Sequence, residues 1–133
     1  MRKITEIIIH CSATKEGKDF TVEDIDRWHR QRGFSGVGYH FIIRLDGSIH
    51  ACRSKNLIGA HCKGHNAHSI GICYIGGLST DGKPKDTRTV AQKASLHALV
   101  EQLQEEFPLA TVHGHNEFAD KACPCFDVQK EFG

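Results

Sequence analysis

The chain has no apolar run long enough to cross a membrane, so membrane insertion is not expected. It has no block of like charge, and its formal net charge is only +1 with the histidines neutral. An electrostatic footprint for nucleic acid is therefore missing, and no nucleic-acid partner is expected. No CxxC pair occurs, which argues against a structural zinc ribbon. The N-terminal stretch MRKITEIIIHCSATKEG lacks a secretory signal, because its apolar run is only Ile7 to Ile9 and Glu6 sits just before it. Repeats, low-complexity tracts and internal linkers are also missing. These absences predict a chain made in the cytoplasm with its thiols mostly reduced.

What is present is an ordinary globular composition, 39% apolar and 25% charged over 133 residues. A chain of this length reads as one domain, residues 1–133, burying about two thirds of its unfolded surface. Ten histidines and six cysteines stand out. Reduced thiols beside many histidines point to a metal.

TEIIIHC reads as a buried strand. In TVEDIDRWHRQRG, Thr21 is a plausible N-cap, and Val22, Ile25 and Trp28, with His29 beside them, form one helix face. VGYHFIIRLDGSI alternates, so Tyr39, Phe41 and Ile43 are expected on one face, and Asp46-Gly47 signals a hairpin. SIGICYIGG reads as a second buried strand. The clearest helix follows Thr89 and Gln92, a capping box, with Val90, Leu96, Leu99, Val100, Leu103 and Phe107 on its expected buried face. A short strand, LATVH, and a terminal helix, FDVQKEF, complete the pattern. Strands interleaved with helices suggest one sheet covered by helices.

Chemistry concentrates in HGHNEFADKACPC, residues 113–125. His113, His115, Cys123 and Cys125 are candidate metal ligands there, with Glu117 and Asp120 weaker ones. An H-x-H pair, His113 with His115, follows if the strand continues. A catalytic zinc keeps an open position and needs a ligand from elsewhere; His10, at the end of the first strand, is placed to provide it. The competing reading makes Cys123 a nucleophile with His115 as its base. Cys52, Cys62 and Cys73 read as small buried apolar residues, with a Cys52–Cys62 disulfide as an alternative.

Four ordered blocks, IIIHCSAT, GYHFIIRLDGSI, GAHCKGHNAHSIGICYIGG and HNEFADKACPCFD, resemble the zinc-dependent N-acetylmuramoyl-L-alanine amidases of the type 2 family. That family includes the peptidoglycan recognition proteins. The resemblance implies an α/β fold, a single mixed central β-sheet flanked by helices, forming one catalytic amidase domain. It implies one Zn2+ per chain, held by His10, His115 and Cys123. Tyr39 and Lys121 match the catalytic positions, and His61 and Asn66 match positions lining the peptidoglycan groove. The implied reaction is zinc-dependent hydrolysis of the amide between N-acetylmuramic acid and L-alanine in bacterial peptidoglycan, by a phage or prophage-type endolysin acting on the cell wall. A relative that binds peptidoglycan without cutting it is the alternative; such relatives typically lose the ligand cysteine, which this chain retains. One phage member also inhibits an RNA polymerase through its N-terminal region. This chain begins closer to its first ligand, so RNA polymerase inhibition is not expected.

Overall fold

The computed structural model describes residues 2–133. Its strands are β1 (Glu6–Cys11), β2 (Thr14–Lys15), β3 (Phe41–Ile43), β4 (Ile49–Ala51), β5 (Ser69–Tyr74), β6 (Gly77–Leu78) and β7 (Thr111–Gly114). Its helices are α1 (Val22–Gln31), α2 (Val90–Glu106) and α3 (Val128–Phe132). Five strands form one sheet in the order β4-β3-β5-β1-β7. The pairings among β3, β5, β1 and β7 are parallel and β4 returns antiparallel to β3, so the sheet is mixed, as expected. The hairpin closes at Asp46-Gly47, where the Gly47 N–H donates to Arg44 O and φ of Gly47 is +84°.

Side-chain alternation sorts the sheet into two faces. Ile7, Ile9 and Cys11 of β1 join Ile70, Ile72 and Tyr74 of β5 beneath Leu96, Leu99, Val100 and Leu103 of α2. Ile42, Cys73 and Ile75 pack on the other face with Ile25 of α1 and Val37. Val22 and Trp28 are half-buried against that second cluster. Each isoleucine fully removed from water contributes roughly 1.5–3 kcal/mol. His10 falls between Ile9 and Cys11 in the alternation, so its ring points away from the α2 core. It is nonetheless buried, at 1% exposure.

Both long helices begin with capping boxes. Thr21 Oγ1 accepts from Asp24 N–H while Asp24 accepts from Thr21 N–H. Thr89 and Gln92 repeat the arrangement. The Gln92 side chain is fully buried and does more than cap. Its Nε2 donates to Ile43 O at 3.3 Å and to Ile75 O at 3.0 Å, tying α2 to the sheet.

Two expected faces are corrected. Val90 is 87% exposed, because it opens the first turn of α2 and points to solvent rather than the core. Tyr39 packs with Ile42, not with Phe41 and Ile43. Strand β3 starts only at Phe41, so the period of two does not extend back to Tyr39.

Replacing Gln92 by leucine is expected to leave two buried carbonyls without that donor and to remove half of a capping box. The loss should be about 2 kcal/mol or more, read as a lower urea midpoint with an unchanged slope.

Candidate metal centre

His10, one residue before the end of β1, lies on the face opposite the α2 core. β7 stops at Gly114, and the chain turns at once into a 3₁₀ turn, His115–Glu117. That turn brings the His115 ring to 4.5 Å from the His10 ring, centroid to centroid. Because the strand ends there, the H-x-H pair does not form. His113 Nδ1 instead meets Glu117 Oε1 at 2.9 Å and its Nε2 meets Thr111 Oγ1 at 2.6 Å. Glu117 also accepts from Gly114 N–H at 2.7 Å and from Gln129. It is therefore a turn cap, engaged away from the ligand set.

Cys123 arrives from the far end of the chain. Its Sγ accepts from Cys11 N–H at 3.2 Å and lies 3.9 Å from His10 Nδ1. The segment is held by Tyr74, whose buried hydroxyl donates to Pro124 O at 2.6 Å. One donor atom from each of His10, His115 and Cys123 lies within 4.8 Å of the other two. Tetrahedral zinc with nitrogen at about 2.05 Å and sulfur at about 2.3 Å places such atoms about 3.5 Å apart. The two-nitrogen, one-sulfur set fits that ion. Cys125, at φ +69°, turns its Sγ towards Cys11 Sγ, 3.9 Å away, and stands outside the set. All six cysteines are free, so Cys52 and Cys62 form no disulfide; Cys62 and Cys73 are buried as expected.

The first candidate ligand is itself held. His10 Nε2 lies 2.9 Å from His61 Nδ1, and His61 Nε2 lies 3.2 Å from Ser69 Oγ. With Nδ1 of His10 facing Cys123, its Nε2–H donates to His61, and His61 donates onward to Ser69. The His61 ring occupies space that only glycine leaves open. A Cβ on Gly71 would sit 2.6 Å from the ring, and one on Gly59 2.7 Å from it. Asn66 Oδ1 accepts from both His61 N–H and Cys62 N–H at 3.0 Å, fixing the backbone that carries His61.

These groups open into one cleft of about 850 Å³. His10, Tyr39, His61, Asn66, His115, Lys121 and Cys123 all line it. The Tyr39 ring is 5.2 Å from the His10 ring. Sequence reading missed His29, Arg32 and Phe34, which also line the cleft. The signal for His29 was helical spacing: it lies one turn beyond Ile25, on the buried face. Its Nδ1 accepts from Gly38 N–H at 2.9 Å, and its ring packs 5.3 Å from Tyr39.

The chain is similar to known proteins. Residues 1–126 match the N-acetylmuramoyl-L-alanine amidase family. The chain belongs to that family. It is 40% identical to the endolysin of Enterobacteria phage K11 over 129 residues, covering 97% of this chain and 85% of that protein. It is 43% identical to the endolysin of Escherichia phage T7 over 124 residues, covering 93% and 82%. The N-acetylmuramoyl-L-alanine amidase LysC from Clostridium intestinale superposes with a TM-score of 0.83 at 30% identity, covering 98% of this chain and 83% of that one.

Electrostatics in this amidase favour neutral imidazoles. Burial, then the neighbouring His61, His115 and Lys121, holds His10 well below its usual 6.5. Burial and the Lys121 ammonium lower His115. Burial, with His40 and His115 nearby, pushes His61 down to about 3. Neutral imidazole is the form that ligates metal. Burial also lifts the Tyr39 phenol well above 10, so it remains a proton-bearing donor. Outside the ligand set, His40 is lowered to about 4 by burial, its Nδ1 accepting from Gly71 N–H and its Nε2 meeting Leu57 O.

Two outcomes follow. His61→Ala removes the acceptor for His10 Nε2–H and should weaken metal affinity roughly 10- to 100-fold in a competitive chelator titration. In the metal-free protein, His40 takes up its proton near 6.5 when unfolded but only near 4 when folded. Its contribution to stability is therefore complete above about pH 6.5 and is lost as pH falls towards 4. The urea midpoint should drop between pH 7 and 5, and the drop should shrink in His40→Gln.

Proposed function

We propose that this amidase works through one zinc ion per chain, held by His10, His115 and Cys123, and that Tyr39 and Lys121 are its catalytic side chains. The observation carrying this reading is the convergence of two imidazoles and one thiol at the floor of a cleft lined by every other residue the reaction needs. Zinc, when bound, lowers the pKa of a coordinated water from about 15.7 towards 7 and polarises a carbonyl oxygen.

The chain's own residues supply the remainder. Three protein ligands leave a fourth position open to the cleft. Lys121 lines the cleft with the two histidines, so its ammonium is available to the scissile carbonyl as that oxygen develops negative charge. The Tyr39 phenol, beside His10, donates to the same oxygen or aligns the attacking water. The Cys11 N–H directed at Cys123 Sγ orients the sulfur towards the two histidines. His61 and Asn66 build the wall along which the glycopeptide lies. Arg32, Lys63 and Lys121 line the cleft, and no Asp or Glu does among the described residues. Stem peptides carry carboxylates, so this charge favours their approach.

The substrate is bacterial peptidoglycan, cut between N-acetylmuramic acid and L-alanine. The site of action is the cell wall, reached at lysis as phage endolysins do. No helix among the described residues is long and apolar enough to cross a membrane.

Mass spectrometry of digested peptidoglycan tests the reading. Free stem peptides beginning with L-alanine, lost on chelation and restored by zinc, are expected. Cleavage indifferent to the chelator would instead make Cys123 a nucleophile. Intact glycan that still captures the protein would make it a binding module. Lys121→Met should slow turnover about 100- to 1000-fold with zinc content unchanged, whereas Cys123→Ser should lose both zinc and activity.

A further inference from the structure

Outside the cleft, a second set of ligating side chains converges. Glu6 opens β1, His65 precedes the 3₁₀ turn Asn66–His68, and His68 ends it. His65 Nδ1 and His68 Nε2 both lie 2.9 Å from one oxygen, Oε1 of Glu6. One donor atom from each of the three lies within 4.8 Å of the other two. None of the three lines the cleft.

We propose that Glu6, His65 and His68 form a second cation site, which takes a divalent transition-metal ion and clamps the 61–68 loop to β1. Two imidazoles and one carboxylate are the donor set of a facial triad, with the remaining positions open to water. Ligand atoms about 2.1 Å from a metal and at right angles to one another lie about 3 Å apart. The observed 2.9 Å between each imidazole nitrogen and the carboxylate oxygen matches two edges of such an octahedral face, and the two nitrogens lie within 4.8 Å of each other. This donor set has no sulfur and differs from the tetrahedral thiolate set at the cleft floor.

The ligands are already oriented. The His65 ring stacks on Phe118, centroids 3.9 Å apart and planes within 21°. Arg2 donates to the carbonyls of Asn66, Ala67 and Ser69, fixing the turn that carries His68. The His68 side chain is 41% exposed, so an ion reaches the site directly from solvent. A bound ion ties the start of β1 to the loop bearing His61 and Asn66. It therefore stabilises one wall of the cleft without contacting the reacting atoms.

The test loads the protein with one equivalent of zinc and then titrates nickel by calorimetry, with thermal unfolding alongside. One further equivalent of nickel and a raised Tm are expected. His68→Ala and Glu6→Gln should each weaken that second equivalent by more than about tenfold and erase the gain in Tm. Both should leave amidase activity at one zinc per chain unchanged. A Cys123→Ser protein should still take up the second-site nickel, which separates this site from the one at the cleft floor. No second equivalent in the parent protein, or a second equivalent bound as tightly by both variants, overturns the proposal. So does near-ultraviolet thiolate-to-nickel absorption in place of a second equivalent, because it marks nickel displacing zinc at Cys123.

Discussion

Strand β1 is hydrogen-bonded along both edges, to β5 from Glu6 to Cys11 and to β7 from Glu6 to Ile9. Its side chains alternate between a core under α2 and a face that opens into the cleft. A slip of one residue would exchange the two faces, sending His10 into the apolar core and Cys11 towards the ligands. Ile7, Ile8 and Ile9 are all fully buried, so both faces are packed, and the slip would put the polar His10 ring into the apolar cluster. The position of His10, the first candidate ligand, is thus set by the packing of its strand. Cys11 serves both sides, its side chain in the core and its N–H on the sulfur of Cys123.

The rest of the centre is built outward from that strand. His10 is buried, and burial alone would leave its Nε2–H without water. His61 supplies the partner, Ser69 supplies the next one, and the missing side chain at Gly71 supplies the room. The consequence is a chain of neutral groups leading from the ligand into the sheet. On the opposite side, Arg88 is almost fully buried between Asp86 and Glu131 and lies over the Phe126 ring. That network fastens Phe126 and α3 to the segment before α2, and two carboxylates share the buried charge.

Much of this was legible in the residues because local rules and tertiary packing agree. The β-branched run of β1, the two capping boxes, the Asp46-Gly47 turn and the apolar period of α2 each point to the element that forms. Residue types also marked the 113–125 segment as chemical, but did not decide among its histidines and cysteines. That choice depends on where β7 stops, and nothing in TVHGHNE announces a break at Gly114. Tyr39 was placed on the wrong face for the same reason, since the strand starts later than its alternation suggests. The partnership of His10 with His61 spans 51 residues and leaves no periodic trace. Ordered blocks resembling a known family supplied the long-range pairing that local patterns lack.

The span between the candidate ligands has a further consequence for how the centre is assembled. His10 and Cys123 meet across 113 positions, so the donor set is distributed over nearly the whole length of the polypeptide. A ribosome extends the N-terminal strand and most of the cleft wall before the sulfur donor exists. The nascent chain therefore lacks the complete candidate donor set until Cys123 has been made. Assembly of the candidate centre is coupled in this way to synthesis through residue 123, by topology alone.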